Sequence, residues 1–125
     1  MNQPLDGRRI LVVEDESLVA MLIETILEDM GCSVIGPVSA VDDAMKTVSD
    51  ENHIDGALLD VNVAGREVFP VADALKARGV PFVFSTGYGE GGLPEHWRGQ
   101  PTIQKPFTEQ TIREALMKAL GVANV

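Results

Sequence analysis

The sequence of 125 residues has a single cysteine, Cys32, and no long apolar segment. One thiol excludes an intrachain disulfide and fits a reducing compartment, so we expect Cys32 to be a small core residue. The first residues lack the apolar stretch of a signal peptide, and no run approaches the roughly 20 residues that span a bilayer. We therefore expect a cytoplasmic protein.

Basic side chains are also scarce. Ten Lys and Arg stand against nineteen Asp and Glu, which gives a formal net charge of −9 at pH 7. Direct binding to nucleic acid or to an anionic membrane needs a basic face, so the composition argues against both. The length suits one domain with a proper core, and we expect residues 1–125 to form a single domain.

Short apolar runs are present, and they alternate with helical patterns along the whole chain. They predict five strands, at residues 9–13, 33–35, 56–60, 80–84 and 102–104. Apolar runs without polar alternation are typical of parallel strands that helices cover on both faces. The alternation therefore predicts a doubly wound, five-stranded parallel α/β sheet.

The helices between these strands have recognisable starts. Ser17 is predicted to cap the first helix, which is expected to bury Leu22 along its apolar face. Ser39 is predicted to cap the second helix, and Thr108 the last. Residues 88–99 are rich in glycine and predict only a short or frayed helix.

Polar side chains collect where the predicted strands end. Glu14 and Asp15 follow the first strand, Asp60 ends the third, and Thr86 and Lys105 follow the fourth and fifth. In an open α/β sheet these carboxyl ends form the site. Clustered carboxylates favour a divalent cation, and an all-oxygen ligand set indicates Mg²⁺. Such a pocket can transfer a phosphoryl group to a carboxylate, because that chemistry is mainly positioning and charge neutralisation.

This pattern resembles the receiver domain of bacterial two-component response regulators, over essentially the whole chain. The family motif is matched in order by Glu14-Asp15, Asp60, Thr86 and Lys105-Pro106. The resemblance implies a flavodoxin-like (βα)5 fold with Asp60 as phosphoacceptor and with Thr86 and Lys105 contacting the phosphoryl group. It also implies Mg²⁺ on Asp15, Asp60 and the backbone carbonyl of Asn62, with Glu14 acting through water.

One segment resembles a particular subfamily of these receivers. Residues 81–88 resemble the PFxFATGY signature of a subfamily of single-domain response regulators, with Ser85 in place of alanine. Thr102 stands where receivers usually carry an aromatic switch residue, so Tyr88, or the signature threonine itself, is predicted to replace the aromatic relay. Trp97, in a polar loop, is predicted to be an exposed partner contact.

The resemblance implies a stand-alone phosphorylation switch. The protein would take a phosphoryl group from a histidine kinase or a phosphotransfer protein and signal by binding a downstream protein or by phosphorelay. It would not be an enzyme beyond catalysing its own aspartyl phosphorylation and dephosphorylation. The kinase, the partner and the oligomeric state stay open.

Three other functions fit parts of the same pattern. A Mg²⁺-dependent aspartyl phosphatase needs a second acid two residues after the nucleophile, where Asn62 stands. A nucleotide or flavin binder needs a glycine- or hydroxyl-rich loop after the first strand, where residues 14–16 are all acidic. A pseudo-receiver, which binds partners without phosphate turnover, stays open because position 102 departs from the family pattern.

Overall fold

A computed structural model describes residues 5–87 and 93–122 of the chain. Seven strands and four α-helices lie in these ranges, together with one 3-10 turn, Glu95–Trp97. In chain order they are β1 Arg9–Val13, α1 Ser17–Asp29, β2 Ser33–Val38, α2 Val41–Asp50, β3 Gly56–Asp60, β4 Asn62–Val63, β5 Arg66–Glu67, α3 Phe69–Ala77, β6 Phe82–Thr86, β7 Thr102–Gln104 and α4 Glu109–Leu120.

Five of the strands form one parallel sheet in the order β2-β1-β3-β6-β7, and β4 and β5 form a small separate hairpin. The strand order reverses between β1 and β3, which confirms the predicted doubly wound α/β fold. At such a reversal the two crossover connections leave on opposite faces of the sheet, and a crevice opens at the carboxyl ends of the strands.

Alternate residues of the central strands enter two different cores, one on each face of the sheet. Leu11 and Val13 of β1 pack in the core that α2 and α3 cover. Ile10 and Val12 pack in the core that α1 and α4 cover. The central strands are buried on both faces, which is why their sequences read as continuous apolar runs.

Two of the three helix starts differ from their predictions. The first backbone hydrogen bond of α1 is accepted by the carbonyl of Glu16. Glu16 is therefore the N-cap, and Ser17 is the first helical residue and does not cap. The first backbone hydrogen bond of α2 is accepted by the carbonyl of Ala40, so the prediction that Ser39 caps this helix is also wrong. Thr108 does cap α4, as predicted, by accepting a hydrogen bond from a backbone N–H of the first turn.

Trp97 is a core residue, and the prediction of an exposed contact is wrong. Its side chain is only 2% exposed. The indole stacks on Phe69, with ring centroids 6.1 Å apart, and meets Phe82 and Phe84 edge to face at 5.8 and 5.6 Å. The 3-10 turn directs the indole inward while its neighbours in sequence stay exposed, so a polar local sequence concealed a buried side chain.

The outer face of α1 carries apolar side chains in solvent. Leu18 is 81% exposed, Met21 62% and Leu22 49%, and we call these three residues the α1 patch. The prediction that Leu22 is buried is wrong, because it lies about 100° around the helix axis from Ile23, at the centre of the buried stripe. Within the described ranges, no helix is both long and apolar enough to cross a membrane.

Candidate functional site

The polar residues at the strand ends lie level with one another across the sheet. Asp60 at the end of β3 is the register partner of Ser85 in β6, and Val13 of β1 is the partner of Leu59, so Glu14 follows level with Asp60. Two positions earlier in the same three strands, Val12, Leu58 and Val83 pack in the core that α1 and α4 cover. Strand alternation therefore places Glu14, Asp60 and Ser85 in one row on that face.

Lys105 joins this row from the other side. Its Nζ lies 3.1 Å from Asp60 Oδ2 and 3.0 Å from Glu14 Oε1. Since β6 separates β7 from β3 in the sheet, the lysine side chain crosses the end of β6 to reach Asp60. Its backbone N–H donates to the carbonyl of Thr86 at 2.9 Å, which anchors the start of this crossing.

The acids and the amine are mostly removed from water. Glu14 is 2% exposed and Asp60 7%. Burial raises the pKa of Glu14, against the opposing effects of the Glu16 backbone N–H and of Lys105. Burial by itself lowers the pKa of Lys105, but hydrogen bonds and charge from Glu14 and Asp60 outweigh it and raise that pKa above its ordinary value. Its two acidic neighbours therefore favour the charged form of Lys105.

Three carboxylates converge beside that single cation. Glu14, Asp15 and Asp60 each offer an oxygen, and these atoms all lie within 4.8 Å of one another. Asp15 is exposed, and its Oδ2 accepts a hydrogen bond from Ala64 N at 3.1 Å. The three carboxylates carry more negative charge than Lys105 can balance. Three oxygen ligands of this kind suit a hard divalent cation such as Mg²⁺.

Backbone groups and hydroxyls complete the surroundings of Asp60. Asn62 N lies 3.4 Å from Asp60 Oδ1, a long hydrogen bond. Thr86 ends β6 and is 5% exposed. Two residues near the site, Ser85 and Glu16, were not predicted. Ser85 is level with Asp60, and Glu16 Oε1 lies 3.6 Å from Lys105 Nζ. Ser85 is placed beside Asp60 by the register between their strands, and that register cannot be read from the sequence.

The predicted switch residues have different outcomes. Thr102 lies in β7, partly buried, and its hydroxyl donates to the carbonyl of Gln100 at 3.0 Å. Tyr88 lies outside the described residues. The peptide bond between Lys105 and Pro106 is cis.

Comparisons with known proteins agree on one family. The response regulator receiver domain model matches residues 10–117. The solution structure of SdrG from Sphingomonas melonis Fr1 is 44% identical and superposes with a TM-score of 0.82, covering 93% of this chain and 98% of that chain. SdrG from Pseudomonas melonis Fr1 in its BeF3-activated conformation is 42% identical with a TM-score of 0.77, covering 95% and 98%.

A curated relative is longer than this chain. The phyllosphere-induced regulator PhyR of Methylorubrum extorquens is 34% identical over 115 residues, which covers 89% of this chain and 43% of that protein. The chain therefore spans less than half the length of this relative, and the match concerns only that part of it.

Proposed function

This chain belongs to the response regulator receiver domain family, and from that premise we propose that it is a phosphorylation switch with Asp60 as phosphoacceptor. The observation that carries the proposal is the reach of Lys105 across β6, which brings its Nζ to 3.1 Å from Asp60 Oδ2 among three clustered acids. An oxygen of Asp60 would attack the phosphorus of a phosphohistidine. The P–N bond breaks as the P–O bond forms, and the electron pair stays on the imidazole.

The residues around Asp60 suit this transfer, which depends on positioning and on neutralising the phosphoryl oxygens. Lys105 would pair with one of these oxygens, and the Thr86 hydroxyl would donate to another. Asp15, Asp60 and the backbone carbonyl of Asn62 would hold Mg²⁺, with Glu14 acting through water. The bound ion supplies further positive charge against the phosphoryl group.

The first test is phosphorylation by a small donor. Incubated with acetyl phosphate and Mg²⁺, the protein is expected to gain one phosphoryl group, measured by intact mass. With a chelator in place of Mg²⁺ the gain is expected to disappear, because the carboxylates then repel the incoming phosphate. The control is circular dichroism of the chelated protein, which should show an unchanged fold.

The alternative function is a pseudo-receiver that binds a partner without phosphate turnover. What favours it is the residue at position 102, where Thr102 uses its hydroxyl on a neighbouring carbonyl and offers no ring to move. A folded protein that gains no phosphoryl group with Mg²⁺ present would support this reading and contradict the switch.

We place this phosphoryl transfer in the cytoplasm. The donor would be a histidine kinase or a phosphotransfer protein, and the signal would pass to a downstream protein or to a second histidine. Cys32 suits a reducing compartment. Its thiol is buried, and burial raises its pKa to about 11, so it stays protonated and unreactive.

The α1 patch is the proposed docking surface for the donor. Beside it lies a groove of about 330 Å³, lined by Glu16, Val19, Leu22, Lys105, Pro106 and Phe107. Leu22 belongs to both the patch and the groove, and Lys105 to both the groove and the Asp60 site. The apolar surface is thus continuous with the phosphoacceptor, so a protein seated on it would hold its phosphohistidine near Asp60.

Charge on this surface is expected to block the protein donor alone. The double variant Leu18→Glu, Met21→Glu should slow transfer from a phosphorylated histidine phosphotransfer protein about tenfold or more, because two apolar contacts are lost. Labelling by acetyl phosphate should stay unchanged, since neither residue touches the site. Met45→Glu, at another exposed apolar residue on α2, is the matched control. Equal slowing by both donors would contradict a docking role.

A further inference from the structure

Ser85 has a buried hydroxyl without a partner. Its side chain is 1% exposed, and within the described ranges no hydrogen-bond partner lies within reach of its Oγ. A hydroxyl taken from water and left unpaired destabilises the fold, whereas alanine would fill nearly the same space without that penalty. The hydroxyl is therefore unfavourable in the form of the protein that the structure represents.

The position of Ser85 points to where such a hydroxyl could act. Ser85 and Asp60 are register partners on adjacent parallel strands, which lie about 4.8 Å apart, and their side chains share one face. Lys105 crosses the end of β6 to reach Asp60, so its path passes by Ser85. The hydroxyl thus lies beside the phosphoacceptor, between it and the strand that supplies the lysine.

Of the two groups that contact the Asp60 carboxylate, Lys105 is already shared with other acids. Asn62 N approaches one oxygen at 3.4 Å and Lys105 Nζ the other at 3.1 Å, while the same ammonium also contacts Glu14 and Glu16. A phosphoryl group on Asp60 brings three more strong acceptor oxygens to this place. A further donor that is already desolvated can then pair without a new desolvation cost.

We propose that the Ser85 hydroxyl donates a hydrogen bond to the phosphorylated Asp60 side chain, unpaired in the resting form and paired in the phosphorylated form. The proposal rests on the proposed function of Asp60. It makes Ser85 a group that shifts the balance between the two forms, because the same hydroxyl is unfavourable in one and favourable in the other. Removing it should therefore destabilise the phosphorylated form without destabilising the resting form.

The test is Ser85→Ala, with beryllofluoride and Mg²⁺ as the probe of the phosphorylated form. We expect beryllofluoride to bind the variant about tenfold more weakly than the unchanged protein, since one hydrogen bond to a charged group is lost. The thermal midpoint of the free variant should equal or exceed that of the unchanged protein. Ser49→Ala, an exposed serine on α2, is the matched control and should change neither value.

Two results would overturn this proposal while the proposed function of Asp60 stands. Equal beryllofluoride affinity in Ser85→Ala and the unchanged protein would show that the hydroxyl makes no contact with the phosphoryl group. Weaker binding together with a lower midpoint of the free variant would show that Ser85 serves packing only. If the unchanged protein itself binds no beryllofluoride with Mg²⁺ present, the proposed function of Asp60 fails first, and this inference with it.

Discussion

Asp60→Asn is expected to remove all phosphoryl addition from acetyl phosphate, in the presence of Mg²⁺ and at any donor concentration. The amide that replaces the carboxylate has no anionic oxygen to attack phosphorus. The change also removes one negative charge from the cluster of three acids that would hold the ion. Its size is almost unchanged, and the contact with Lys105 can persist through the amide oxygen. Intact mass measures the result, and circular dichroism shows whether the fold survives.

The matched control is Asp73→Asn. Asp73 is exposed on α3 and lies outside the acidic cluster, so the same chemical change there should leave phosphoryl addition intact. Mg²⁺-dependent addition that persists in Asp60→Asn would place the acceptor elsewhere. Asp15, the exposed member of the cluster, would then be the next candidate.

Trp97→Ala is expected to lower the free energy of unfolding by about 3–5 kcal/mol, the usual cost of removing a large buried aromatic side chain. The indole is 2% exposed and lies against three phenylalanine rings, so its loss leaves a cavity between α3 and β6. Urea unfolding followed by circular dichroism measures the change, because the variant has no tryptophan fluorescence.

Phe107→Ala is the comparison for this second prediction. Phe107 is only partly buried, at the edge of the α1/α4 core, so its removal should cost less than half as much. A loss below about 1 kcal/mol for Trp97→Ala would contradict the core position of the indole and would restore the reading of Trp97 as a surface contact.

The agreement between sequence and structure is best where a signal is local and repeated. The three central strands, β1, β3 and β6, show this best, because burial on both faces leaves a continuous apolar run. The carboxyl ends of the predicted strands identified Glu14, Asp15, Asp60 and Lys105, and the structure brings these four side chains together. A parallel α/β topology aligns strand ends, so their convergence followed from the order of the elements alone.

Helix starts were less predictable because a cap depends on the backbone conformation of one residue. Ser17 and Ser39 are good capping residues, but the carbonyl that begins each ladder belongs to a neighbour, Glu16 or Ala40. The chain leaving a strand end decides which residue holds the extended conformation. Thr108 satisfied both requirements, and its prediction is confirmed.

By itself, the sequence determined the parallel α/β fold, the acidic strand ends, and the lysine that faces them, since these depend on burial patterns and on the order of elements. Only the tertiary structure decided that Trp97 is buried, that Leu22 is exposed beside the site, and that Ser85 lies level with Asp60. The first depends on the direction of a turn, the second on the rotation of a helix about its axis, and the third on the register of strands. Packing between distant segments sets all three, and no local pattern records them.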